Sequence, residues 1–243
     1  MNRTFWTEIW YFLLFLMVGF IIVAIISAVM ASLHPDLLSS AWYYHFIQWM
    51  QTWVVMICPA LVWCKWRLKE PFSAGLRLKN TAHWKHYLGV LIVFTLCLPL
   101  LDALAEVCRE IPLPDAIKAM AEEEAASQEK ILGMMLGVEG LGGWLELILL
   151  MSIATAIGEE LTFRGALLTL FQRYSSCNKH VIALIVGLIF SLIHMEFYGL
   201  IPRWILGTCF VYLVYYTGSI WPSVLAHAIN NLYALMQYKG LID

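Results

Sequence analysis

Residues 141–171 read LGGWLELILLMSIATAIGEELTFRGALLTLF. The run is longer than the roughly 20 apolar residues that carry a helix across a hydrocarbon core, so it must tilt, bend or protrude. Three of its few charged residues, Glu159, Glu160 and Arg164, crowd together among apolar neighbours. Ionisable side chains are costly in lipid and ask for a reason wherever they occur.

Outward from this run, apolar stretches near 9–33, 46–64 and 86–105 precede it, and others near 181–198, 200–217 and 219–238 follow. They predict an all-α fold, a polytopic bundle of seven transmembrane helices around a polar intramembrane cavity. An eighth, half-inserted segment has room in 111–140. Only Tyr198, Gly199 and Leu200 separate the fifth run from the sixth, which predicts a tight hairpin. The run Tyr11 to Leu33 is too long for a signal-peptide core and ends in no clear small-x-small cleavage site, so it is expected to stay as a span. No repeat or low-complexity tract divides the chain. The expectation is one integral membrane domain over 1–243, with a motif-bearing core about 141–239.

Composition agrees. Of 243 residues 61% are hydrophobic and 13% charged, against about 25% charged in soluble domains. Mean hydropathy is +0.75. Too few polar groups exist to coat a soluble protein. An ordinary cytosolic domain, a disordered chain and a nucleic-acid binder with a basic face are excluded. The expected partners are the lipid bilayer and a peptide or protein substrate, with lipidation open, and no nucleic acid.

Lys and Arg set orientation. The connection 65–85 carries Lys65, Arg67, Lys69, Arg77, Lys79 and Lys85 against Glu70 alone, which marks it as cytoplasmic. Two spans precede it, so the N-terminus is expected inside, in agreement with Arg3, in a multi-pass protein of a bacterial plasma membrane. The connection 106–140, with eight acids against three bases, then falls outside. Within it, Asp115 to Leu136 reads as a solvated acidic helix or as a lid on the membrane surface.

Helix geometry sorts the central charges. Residues i and i+4 share a face, so Glu160 and Arg164 are set for an ion pair along the helix. Glu159 has Phe163 at that spacing and is a carboxylate aimed elsewhere, free to take or give a proton. The fifth run brings Phe190 and His194. The seventh brings His227 and Asn231, again i and i+4, where either can donate to an oxyanion and His227 could instead bind a metal. At 1.5 Å per residue, Glu159, His194 and His227 fall at overlapping depth inside the hydrocarbon layer. Glu146 and Asp102 are single acids expected near span ends or paired across helices. His34, His45, His83, His86 and His180 read as interfacial. The six cysteines are scattered with no CxxC pair, and no HExxH, GxSxG or P-loop occurs.

The pattern Glu159-Glu160-x-x-x-Arg164, Phe190-x-x-x-His194 and His227-x-x-x-Asn231, with Trp221-Pro222 before the last, resembles the three motifs of the CPBP family. These are the CAAX proteases and bacteriocin-processing enzymes, also called the ABI family. The resemblance covers roughly the last 100 residues. It implies a helix bundle enclosing a water-accessible conical cavity and a peptide-bond hydrolase. Glu159 and His194 would activate water, and His227 and Asn231 would stabilise the oxyanion. Glu160 and Arg164 would support the site, and Phe190 would pack beside it as a substrate-binding residue. Eukaryotic members of that family remove the last three residues of prenylated CAAX proteins; bacterial members are linked to peptide maturation, bacteriocin immunity and regulation. Glu159, His194 and His227 also form a Glu/His/His set for zinc, yet the same three suffice as base, orienter and donor, and the metal-free route is favoured.

Two other classes stay open on sequence alone. A proton-coupled transporter would use the buried charges as a relay, although no repeat or matched pair of broken helices supports it. A non-catalytic immunity or scaffold protein would keep its biological activity without Glu159 and His194.

Overall fold

The computed structural model describes residues 4–79 and 81–242; Arg3, used above for orientation, lies outside them. Among the described residues, eight helices longer than five residues are built from the apolar runs and the acidic connection. They are α1 Phe5–Leu33, α2 Ala41–Leu68, α3 Trp84–Arg109, α4 Asp115–Met135, α5 Gly140–Tyr174, α6 Lys179–Leu192, α7 Leu200–Thr217 and α8 Trp221–Tyr238. No strand occurs among the described residues.

Local chemistry fixes several ends. Asn178 caps α6, its side chain accepting from the amides of His180 and Val181 at 3.0 Å, as an N-cap does. Gly218, at φ +72°, closes α7 in the left-handed conformation a helix stop favours. Pro222 sits in the first turn of α8, where a missing amide hydrogen costs nothing.

Four helices, α1, α2, α3 and α5, are long and apolar enough to cross a membrane. The other three apolar runs give shorter or more polar helices. α6 has 14 residues, about 21 Å, and α7 and α8 have 18 each. The fifth run departs most from its sequence pattern. Its apolar character continues past Leu192, but the helix stops there, and 193–199 form a longer connection than a three-residue hairpin. Two features end it. Met195 takes φ 56°, in the left-handed region a helix cannot use. The Nδ1–H of His194 turns back to the carbonyl of Phe190 at 2.7 Å, occupying an acceptor that a further turn would claim.

α5 is interrupted twice by wider π-helical turns, Ile148–Ala154 and Leu161–Leu167. Between them lies the short α stretch Thr155–Glu160, so both central glutamates sit where the helix changes pitch, a frequent setting for functional residues. Without a hydrophobic drive between helices in lipid, close packing and cross-helix hydrogen bonds must hold the bundle. Gln48 of α2 donates to Thr155 at 3.1 Å, and Thr162 donates to the Met56 carbonyl at 2.8 Å. A Cβ on Gly158 would stand 3.0 Å from the Thr52 side chain. α8 is fastened to α5 by Ser152 Oγ–H on the Ala228 carbonyl, 2.8 Å.

Contacts sort the helix ends into two faces. At the basic face Phe5 packs on Phe171, Arg67 pairs with Glu8 at 2.7 Å, and Arg173 pairs with Glu70 at 2.7 Å. At the opposite face Lys239 donates to the Leu136 carbonyl at 2.6 Å. His45, expected to be interfacial, is instead buried there. Its two ring nitrogens reach Glu146 at 2.7 Å and the Met135 carbonyl at 2.9 Å. Glu146 is thus paired across helices. So is Asp102, which accepts from Tyr233 at 2.6 Å and Gln237 at 3.0 Å. The acidic segment forms α4, and burial together with the nearby Glu196 carboxylate pushes the Glu124 carboxyl up.

Candidate active site

α5 supplies two carboxylates of opposite character. Glu160 is fully buried. Its Oε1 accepts from Arg164 Nη1 at 2.9 Å and lies 2.9 Å from His227 Nδ1. Arg164 is also fully buried. Its Nη2 donates to the Gly207 carbonyl at 3.0 Å, and the guanidinium lies over three rings, Phe190 at 4.4 Å, Phe210 at 5.1 Å and Phe163 at 5.8 Å. Desolvated cation–π contacts of this kind contribute about 2 kcal/mol. The pair is a clamp joining α5, α7 and α8.

Glu159, one residue earlier, points away from that clamp. Its Oε2 makes no hydrogen bond. It faces His227 Nε2 at 3.6 Å and His194 Nε2 at 3.9 Å. The ring tautomers follow from the partners. The Phe190 carbonyl can only accept, so His194 Nδ1 carries hydrogen. A Glu160 carboxylate requires the same of His227 Nδ1. Both Nε2 atoms are therefore the ones turned toward Glu159. The Glu159 and His194 side chains are 14% and 28% exposed, against 5% for His227, so the site opens on the Glu159–His194 side.

Of the residues singled out in the sequence, Glu159, Glu160, Arg164, Phe190, His194 and His227 converge here. Phe190 is the buried floor, its ring edge-on to His194 at 5.0 Å and to His227 at 5.6 Å. Asn231 lies one turn along α8, where its amide donates to the Met151 carbonyl at 3.3 Å and accepts from Asn230 at 3.4 Å. Three participants carried no signal in the sequence. Phe210 stacks on His227 at 5.2 Å, the Gly207 carbonyl holds Arg164, and Met151 holds Asn231. They sit in ordinary apolar patterns and gain their roles from packing alone.

Among the described residues no group of three or more His, Cys, Asp or Glu is disposed to hold a metal ion.

Residues 142–233 match the family described as Type II CAAX prenyl endopeptidase Rce1-like. The match covers less than half of the chain. It runs from the start of α5 to Tyr233 in α8 and contains every residue of the site. α1 to α4 lie outside the match. No curated protein and no solved structure matches the sequence. The matched family is described as one of endopeptidases, and the apolar helices make this chain an integral membrane protein.

Proposed function

We propose that this protein hydrolyses peptide bonds within the membrane, with Glu159 activating water, His194 orienting it, and His227 with Asn231 stabilising the oxyanion. One observation carries the reading. A single buried carboxylate oxygen, Glu159 Oε2, faces Nε2 of two imidazoles from two other elements at 3.6 and 3.9 Å. Both separations are well under two hydrogen-bond lengths, about 5.6 Å, so one solvent oxygen can bond to Glu159 and an imidazole together.

The donor pattern gives each residue a task. A water molecule directs its two O–H groups at Glu159 Oε2 and the lone pair of His194 Nε2, which leaves an oxygen lone pair for the scissile carbonyl carbon. As the C–O bond forms, Glu159 takes the proton. The carbonyl π electrons move to oxygen, and the resulting oxyanion accepts hydrogen bonds. His227 can donate from Nε2 when its ring is doubly protonated, the Glu160 carboxylate at Nδ1 balancing the charge. Asn231 has a second N–H besides the one on Met151. When the C–N bond breaks, the proton held by Glu159 passes to the departing amine. Glu160 and Arg164 hold His227 in register.

The proposed setting is a bacterial plasma membrane crossed seven times, with the N-terminus cytoplasmic and α6, α7 and α8 completing the four long spans. The proposed substrate is a peptide with a lipidated C-terminal tail, as the family description suggests. The test uses purified protein in micelles with a prenylated CAAX peptide and its unmodified counterpart, products being read by mass spectrometry. Glu159→Gln and His194→Ala should each lower turnover by about 10²–10⁴-fold, the usual span for lost proton transfer. Wild-type turnover by Glu159→Gln would sink the assignment. Chelator should leave the rate unchanged. Ion flux in liposomes without cleavage would return the transporter reading.

A further inference from the structure

The hydrolytic site leaves unused a polar cavity of about 300 Å³ at the basic face, between the α2–α3 connection, the last turns of α5 and the turn before α8. Ligand sites begin near this size. Three cationic side chains line it, Arg77, Lys79 and Arg173, together with the hydroxyls of Ser73, Thr81 and Thr169. Arg173 is paired with Glu70 at 2.7 Å. Among the described residues, Arg77 and Lys79 have no carboxylate partner within 4.0 Å.

Arg77 is held in place rather than left to swing. Its Nε donates to Thr169 Oγ1 at 3.3 Å, and its Nη2 donates to Gln172. Its backbone is in the left-handed region, φ 57°, a conformation a long side chain occupies at a cost. Its carbonyl accepts from the amide of Ile220 at 3.3 Å. Burial, reinforced by the Arg173 charge, draws the guanidinium below its ordinary range. Two cations, Arg77 and Lys79, gathered in one cavity without a matching acid call for an anion.

We infer that this cavity binds an anionic phosphate group, carried by a net-anionic membrane phospholipid or by a soluble phosphate compound. Two uncompensated cations match a phosphate charge, and the Arg77 N–H groups not committed to Thr169 and Gln172, with the Lys79 ammonium and the Ser73 hydroxyl, suit an anion with three or four acceptor oxygens. The position, at the end of the bundle where the basic connection meets the apolar helices, suits a headgroup as well as a free ion. Occupancy would also reach the hydrolytic site. The segment that carries Arg77 and Lys79 is tied to the α7–α8 turn by Thr81 Oγ1–H on the Thr217 carbonyl at 2.6 Å and by Trp221 Nε1–H on the Leu78 carbonyl at 2.9 Å. A bound phosphate would therefore brace α8, which bears His227, against α5, which bears Glu159.

The test reads binding and does not depend on proteolysis. Protein in detergent is titrated with inorganic phosphate at constant ionic strength, with chloride as control. In parallel, protein in phosphatidylcholine nanodiscs is compared with and without phosphatidylglycerol. Thermal unfolding is followed in both. Phosphate, phosphatidylglycerol or both should raise Tm, since a ligand that binds only the folded state stabilises it. The Lys79 side chain makes no hydrogen bond or ion pair among the described residues, so Lys79→Glu should keep the unliganded Tm and abolish the shift. Arg77→Lys should raise the midpoint concentration at least tenfold. A shift with phosphate alone identifies a soluble compound as the source, and one with phosphatidylglycerol alone a headgroup. No shift in either arm, or an equal shift in wild type and Lys79→Glu, overturns the inference.

Discussion

Glu160 and Arg164 are fully buried one turn apart, and removal of either leaves the other charge stranded. Breaking such a pair costs about 3–5 kcal/mol. Arg164→Ala is therefore expected to lower unfolding stability by that order, measured by thermal or denaturant unfolding in micelles. Glu159→Gln should leave stability within about 1 kcal/mol, because Glu159 Oε2 has no hydrogen-bond partner to lose. Equal destabilisation by the two variants would contradict the division of labour between clamp and base. The same scale shows how far the chain could be read. The Glu160–Arg164 pair follows from spacing, because four residues make one helical turn. Its third member, His227, is 67 residues away from Glu160 and was visible only as a second, separate motif. The burial of His45 is hidden from the sequence for the same reason, its partners Met135 and Glu146 being 90 and 101 residues distant. Met195 offers a second test. Its positive φ follows directly after His194 and costs about 1–2 kcal/mol for a residue with a Cβ. Met195→Gly should stabilise the fold with activity retained, whereas Met195→Val, β-branched at that φ, should lose both.

At the scale of elements, the site depends on how closely α6 and α7 approach. A Cβ on Gly207 would stand 3.0 Å from the Gly187 carbonyl and equally close to Phe190. This contact lets the Gly207 carbonyl and Phe210 reach Arg164 from one side while Phe190 covers it from the other. Gly207→Val should therefore force the helices apart at a cost of about 1–3 kcal/mol, and loosen the Arg164 clamp with it. The expected result is a lower Tm together with turnover reduced beyond what the loss of folded protein explains. Unaltered turnover per folded molecule would mean that the close approach serves packing alone. Neither this contact nor the π turns of α5 was legible beforehand. An apolar helix pattern does not reveal which glycine meets which, nor where hydrogen bonding shifts from i+4 to i+5. The end of α6 at Leu192 was hidden too, since no Gly or Pro interrupts the sequence before Gly199.

Over the whole molecule, the apolar surface is turned outward. Only 17% of the most apolar stretch of α1 and 11% of that of α3 is buried, a pattern that lipid satisfies and water does not. Hydropathy made that legible, and the charge pattern gave the two faces. The opposite placement of the chain ends adds a constraint that span length alone does not. The start of α1 packs beside the end of α5, through Phe5 and Phe171. The residue after α8, Lys239, bonds to the carbonyls that follow α4. The chain thus begins at the basic face and finishes at the other, in keeping with the odd number of passes proposed above. If the N-terminus is cytoplasmic and α1, α2, α3 and α5 all cross, as proposed, Cys177, exposed between α5 and α6, must face the cytoplasm. Glu122, on the outer surface of α4 with a 61% exposed side chain, must face the opposite compartment. Single-cysteine proteins, with Cys177 alone or with Glu122→Cys alone, can be treated with an impermeant maleimide in right-side-out and inverted vesicles. Cys177 should react only in inverted vesicles and the α4 variant only in right-side-out ones. Labelling of both from one side would mean that α5 does not cross and would remove the membrane depth at which Glu159 is proposed to work.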